Sequence, residues 1–169
     1  MRRITNIHLP EAYSFPKGVG LWSISLDDKG MILSLDPIPL GSAVAGEDWE
    51  GDWLSPRGID LQINGGLGIS FSDLNFKDIP ILKELLDHLW NDGIEAICPT
   101  FVSCSRNSLR LGLEVLREVR KNTSLGTCKL LGAHLEGPFL SKQYLGAHEV
   151  NSICNPSLNK LDSFIEGFE

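Results

Sequence analysis

The segment Leu130-Leu131-Gly132-Ala133-His134-Leu135-Glu136 runs straight into Gly137-Pro138. Counted by twos along a strand, Gly132, His134 and Glu136 share one face, and Leu131, Ala133 and Leu135 the other. The Gly-Pro break stops the strand just past Glu136 and aims its carboxylate out of the strand end. Imidazoles and carboxylates are the groups that hold metal ions and move protons. A polar face of this kind suits a strand lining the lumen of a barrel with helices packed outside, where chemistry gathers at the C-terminal strand ends.

Gly58-Ile59-Asp60-Leu61-Gln62-Ile63-Asn64-Gly65-Gly66 repeats the arrangement, with Asp60, Gln62 and Asn64 on one face and Ile59, Leu61 and Ile63 on the other. Cys98-Pro99-Thr100 follows, and the loop Tyr144-Leu145-Gly146-Ala147-His148 comes after the Glu136 strand. With DLQINGG, CPT, HLEGPF and GAH in this order, the chain from about Leu54 onward resembles the N-acetylglucosamine-6-phosphate deacetylases of the amidohydrolase superfamily. The ordered set is specific, whereas each motif alone is weak.

The resemblance implies an α/β fold: the N-terminal part of a metal-dependent hydrolase TIM-type (β/α) barrel, preceded by a small β unit. It implies hydrolysis of a linear amide C–N bond, releasing acetate from N-acetylglucosamine 6-phosphate in amino-sugar catabolism. One divalent metal ion, zinc or iron(II), would activate the water, and Glu136 would be its one ligand in this segment. The remaining ligands, both His, and the general base, an Asp, would come from strands beyond Glu169. No catalytic residue is therefore assigned within the chain, and the isolated 169 residues are expected to be inactive. Gln62 and Asn64 stand where many superfamily members carry His-x-His. Neutral amides are poor zinc ligands, so a second metal is not expected. His134 either orients the carboxylate or the water, or is a histidine hydrogen-bonded inside the barrel. Ala147 would offer backbone groups and His148 a side-chain donor to the sugar phosphate. Two further readings stay open: another amidohydrolase acting on amide bonds, and a non-catalytic remnant or half of a split enzyme. The assemblies left open are a homo-oligomer at full length and a companion chain supplying the rest of the barrel.

Two segments must position these groups. Residues 1–54 read as a small β unit, half of the β-sandwich that flanks the barrel in the family. Gly20–Leu26 alternates, Asp27-Asp28-Lys29-Gly30 turns, and Met31–Leu35 forms a second strand, ended by Pro37 and Pro39. Gly41–Gly46 is a loop. Residues 55–169 read as the first three βα units of an incomplete amidohydrolase barrel. Strands are expected at 58–64, 94–100 and 129–136, and helices at 78–92, 108–121 and 157–168. Asp78 would cap the first helix, Pro80 would sit in its first turn, and Gly93 would end it. Gly65-Gly66 fits a tight turn better than a phosphate cradle, and Asp60 an internal hydrogen bond better than catalysis. Trp22, Trp49, Trp53 and Trp90 are expected to pack.

Composition narrows the classes. The chain has 169 residues, shorter than the roughly 200–250 of a closed eight-stranded barrel. A net charge of −7 argues against a nucleic-acid partner, which needs clustered Lys and Arg. No apolar run approaches the ~18 residues of a membrane span, and the basic N-terminus lacks the apolar core of a secretory signal. Cys98, Cys104, Cys128 and Cys154 form no C-x-x-C pair and suit reduced thiols in the cytoplasm.

Overall fold

The structure, a computed structural model, describes residues 1–10, 19–122 and 125–168. The chain divides into two compact units, residues 1–56 and 57–169.

The first unit is a four-stranded sheet of β1 (Arg2–Ile7), β2 (Val19–Leu26), β3 (Ile32–Pro39) and β4 (Glu47–Asp48), in the order β3-β2-β1-β4. The β2–β3 hairpin closes where Asp27 Oδ1 accepts from the amides of Lys29 and Met31, each at 2.8 Å, with Gly30 at φ +79°. Pro37 and Pro39 do not end β3, contrary to expectation. Pro37 pairs with Trp22 and Pro39 with Val19. The strand lies at the sheet edge, where a missing N–H breaks no ladder on the open side. Ile4, Ile7, Leu9 and Ile24 form the core, with Trp22 and Trp49 packed on it. Trp53 departs from the expected packing: it is 66% exposed and stacks on the His8 ring at 5.0 Å.

The second unit alternates strand and helix. β5 (Gly58–Ile63) is followed by a two-residue hairpin, β6 (Gly65–Gly66) with β7 (Ile69–Ser70). Leu67 and Gly68, at φ +49° and +85°, make the tight turn. A Cβ on Gly66 would lie 2.6 Å from Leu85, so the glycine lets the hairpin sit against the next helix. Then come α1 (Ile79–Asn91), β8 (Ile94–Val102), α2 (Arg106–Lys121), β9 (Lys129–Leu130), β10 (His134–Glu136) and α3 (Leu158–Ile165). β8 is central, and β5, β9 and β10 all pair with it in parallel. The parallel sheet read from the sequence is therefore present. It is open, with β5 and β10 at its edges, and the described residues do not close a barrel.

The third strand is two short pieces, not the continuous 129–136. Leu131–Ala133 lies between them, where Gly132 has no side chain to pack and its flank is open. Asp78 precedes α1 but does not cap it. Its Oδ2 accepts from Asn75 N at 3.1 Å while Asn75 Oδ1 accepts from Lys77 N at 3.0 Å, a reciprocal box that closes the preceding 3-10 turn. Pro80 sits in the first turn and Gly93, at φ +85°, follows the helix as expected. α2 starts two residues before Ser108, because Ser105 Oγ accepts the Ser108 amide at 3.1 Å. α3 is shorter than expected, and Leu158 of its apolar set is exposed. Arginines of α2 close its C-terminal end: Arg106 donates to Ser163 O at 2.7 Å, Arg110 to Glu166 O at 3.0 Å, and Arg117 to Gly167 O.

One core joins both long helices to the sheet: Leu82, Leu85 and Leu86 of α1, Leu109, Val115, Leu116 and Val119 of α2, and Ile97 and Phe101 of β8. Gly112 lets α2 approach, since a Cβ there would overlap the Phe101 ring. Ile59 and Leu61 of β5, on the face read as apolar, are 58% and 65% exposed because no described element covers them.

Candidate functional site

Parallel registry brings the strand ends level. His134 pairs with Thr100, and Glu136 with Val102, the last residue of β8. The end of β8 is held by Ser72, whose Oγ accepts the Val102 amide at 2.9 Å and donates to its carbonyl at 3.3 Å. β10 stops as the sequence implies: Gly137 takes φ +100° and its bond to Pro138 is cis.

At this edge the Glu136 carboxylate is met from two sides. Gln62 Nε2, from the end of β5, donates to Oε2 at 3.2 Å. His148 Nε2 lies 3.4 Å from Oε1. The His148 side chain is 8% exposed and that of Glu136 35%, so the pair is sheltered while the carboxylate still reaches solvent. The other ring nitrogen of His148, Nδ1, is 3.0 Å from Ser103 Oγ, and this hydroxyl lies 3.4 Å from the Glu136 carbonyl. A loop returns His148 to the strand end. His148 N donates to Leu145 O at 3.1 Å across a turn with Gly146 at φ +58°, and Cys154 N donates to Pro138 O at 2.9 Å, closing the loop on its start.

The remaining expected residues divide. His134 points its Nδ1 at the buried Thr100 hydroxyl, 3.1 Å away. Asn64 is exposed one residue beyond β5, and its side chain makes no hydrogen bond among the described residues. Ala147 is exposed next to His148. Asp60 keeps its carboxylate within its own strand, accepting from Gln62 N at 2.9 Å. The β5–β8 register slips between Asp60 and Ile63, so strict alternation does not carry through that strand. Ser103 was not read from the sequence. The signal available was its place immediately after the second strand, level with the residue that follows Glu136.

Charge and donor chemistry set what the cluster can do. An anionic carboxylate with one amide donor, one imidazole and free access on its open side can hold a cation or accept a proton. Among the described residues no group of three His, Cys, Asp or Glu side chains is placed to hold a metal ion. The cluster by itself therefore falls short of a metal site among the described residues.

No family model matches the chain. It is 40% identical over 108 residues to the N-acetylglucosamine-6-phosphate deacetylase of Caenorhabditis elegans, covering 60% of this chain and 24% of the relative. It is 28% identical over 137 residues to the N-acetylgalactosamine-6-phosphate deacetylase of Escherichia coli O157:H7, 80% of this chain and 34% of the relative. A Mycobacterium smegmatis N-acetyl-D-glucosamine-6-phosphate deacetylase variant, solved in complex with N-acetyl-D-glucosamine-6-phosphate, shares the fold. It matches at a TM-score of 0.62 and 20% identity, covering 98% of this chain and 40% of that one. The chain thus spans about a quarter of the length of the first curated relative. In sequence and in fold it is similar to the N-terminal portion of N-acetylglucosamine-6-phosphate deacetylases.

Proposed function

We propose that the chain is the N-terminal portion of a metal-dependent hydrolase that converts N-acetylglucosamine 6-phosphate to glucosamine 6-phosphate and acetate. The observation that carries this reading is the Glu136 carboxylate at a parallel strand end, held by Gln62 and faced by His148, in a chain 40% identical over 108 residues to a deacetylase of that name.

Glu136 would be the one ligand this chain gives to a divalent cation, zinc or iron(II). When bound, such a cation lowers the pKa of its water toward ~7 and polarises the amide carbonyl. The chain's own residues would do three things. Gln62 fixes one carboxylate oxygen by hydrogen bonding, which orients the ligand. The 137–157 loop shelters the strand end, and His148 presents a ring N–H that would turn from Glu136 to the substrate's phosphate, with the Ala147 backbone beside it. The hairpin at Gly65–Gly66 packs on α1, which favours a structural role over a phosphate cradle. The remaining ligands and the general base would come from a longer form of this chain or from a companion chain. The same part would supply the strands that close a TIM-type barrel against β5 and β10 and cover Ile59 and Leu61. The four free thiols fit a reducing compartment, the cytoplasm.

The test is acetate release from N-acetylglucosamine 6-phosphate. The chain alone, given zinc or iron(II), is expected to show none, and joining it to the C-terminal part of a full-length relative is expected to restore it. Enzyme-like turnover by the chain alone would show that the catalytic groups lie elsewhere.

A further inference from the structure

Ser103 contacts both partners of the Glu136–His148 pair. Its Oγ is 3.0 Å from His148 Nδ1 and 3.4 Å from the Glu136 carbonyl, while His148 Nε2 is 3.4 Å from Glu136 Oε1. A neutral imidazole has one N–H, and a carboxylate can only accept. The Glu136 contact is a hydrogen bond only if the ring proton sits on Nε2. Nδ1 is then a bare acceptor on a side chain that is 8% exposed, and it needs a donor. The Ser103 hydroxyl supplies it, since of its two contacts the one to Nδ1 is the shorter. If the hydroxyl proton went to the Glu136 carbonyl instead, Nδ1 would have to be the donor, and a bare Nε2 would face the carboxylate. Gly137 makes room for this serine: a Cβ there would overlap its hydroxyl.

We infer that Ser103 is a positioning residue that holds His148 in the Nε2–H tautomer by donating to Nδ1, keeping the ring's donor aimed at the edge where Glu136 sits. The consequence for phosphate binding rests on the proposed role of His148. The tautomer itself does not, so its failure and the failure of the deacetylase reading are separable.

The test uses the 169-residue chain labelled with 15N-histidine, read by long-range proton–nitrogen correlation at a fixed alkaline pH where imidazoles are neutral. A His148→Gln variant assigns the resonance. The expected result is a proton on Nε2 and an Nδ1 resonance displaced in the direction of an accepted hydrogen bond. Ser103→Ala should move Nδ1 to the position of an unbonded ring nitrogen, and Ser103→Thr, which keeps the hydroxyl, should return it. A proton on Nδ1 in the unmodified chain would overturn the inference without any variant having to fold. So would an Nδ1 resonance that Ser103→Ala leaves unmoved.

Discussion

At the scale of single residues, the neighbours of a titratable group decide its chemistry. Cys128 shows this away from the site. It is fully buried, and burial pushes its thiol up to about 11, with the Asp60 charge adding to the rise. The thiolate is the reactive form. In the native chain at pH ~8, Cys128 is therefore expected to be the last of the four cysteines to react with iodoacetamide, read by peptide mass spectrometry. Early modification of Cys128 would contradict its burial. The same reasoning tells which site residues were legible. Glu136 was, because its strand parity and strand end are written in the alternation of side chains. Gln62 meets it from the stretch of β5 where the register slips, which alternation alone does not show. His148 was expected only as a donor to the sugar phosphate, and its place against Glu136 was not legible, because a loop motif fixes no contact across the strand end. Asn64 was expected at the cluster and makes no hydrogen bond to it among the described residues; it lies past the end of β5, where alternation no longer fixes direction. Ser103 was not legible: a serine just after a strand has no pattern of its own, and only the registry of β8 with β10 brings it to His148.

At the scale of elements, the helices were legible because apolar spacing and capping residues are local. Their boundaries were less so, since several candidate caps compete. Ser105 starts α2 ahead of Ser108 by accepting the Ser108 amide. Ser105→Ala should cost about 1 kcal/mol, the usual worth of a helix N-cap. A urea midpoint unchanged within error would contradict the cap. The break in the third strand was hidden, because a Gly inside an alternating run reads either as strand or as interruption. On the near side of the break, β9 is tied to β8 by the pair Lys129–Glu95, at 2.8 Å, and by the bond from Leu131 N to Ile97 O. The Lys129 hydrogen bond and charge hold the Glu95 carboxyl below the usual carboxylate range. A carboxyl whose folded pKa is lowered stabilises above its unfolded value, and the gain disappears as pH falls through the folded value. Glu95→Gln should therefore flatten the loss of stability between about pH 5 and pH 3, measured by urea midpoints. The effect should be small, because the pair is exposed. A steeper loss in the variant would reverse the sign of this account.

At the scale of the whole molecule, the parallel order was legible from the strand–helix period, since parallel strands need crossover helices. Whether the sheet closes was not, because closure depends on strands the described residues do not contain. The exposed Ile59 and Leu61 are the physical trace of that: apolar side chains on an edge strand of a fold that normally buries both sheet faces. Capping β5 with the remainder of a barrel should remove about 25 cal/mol per Å2 of apolar surface from water and raise the thermal midpoint of the second unit. A scan of the chain with and without the C-terminal part of a relative checks this, and an unchanged midpoint would mean that the face is not where that part packs.

The central claim is that Glu136 gives this chain's ligand to a metal that activates water for deacetylation. It is tested most directly in the assembly of the chain with a relative's C-terminal part, by measuring bound metal and acetate release for the unmodified protein and for Glu136→Gln. The account predicts that the substitution loses metal and rate together, with the rate falling by at least 10²-fold, the order of magnitude of losing one essential catalytic group. A folded Glu136→Gln assembly that keeps its metal and its rate would contradict it.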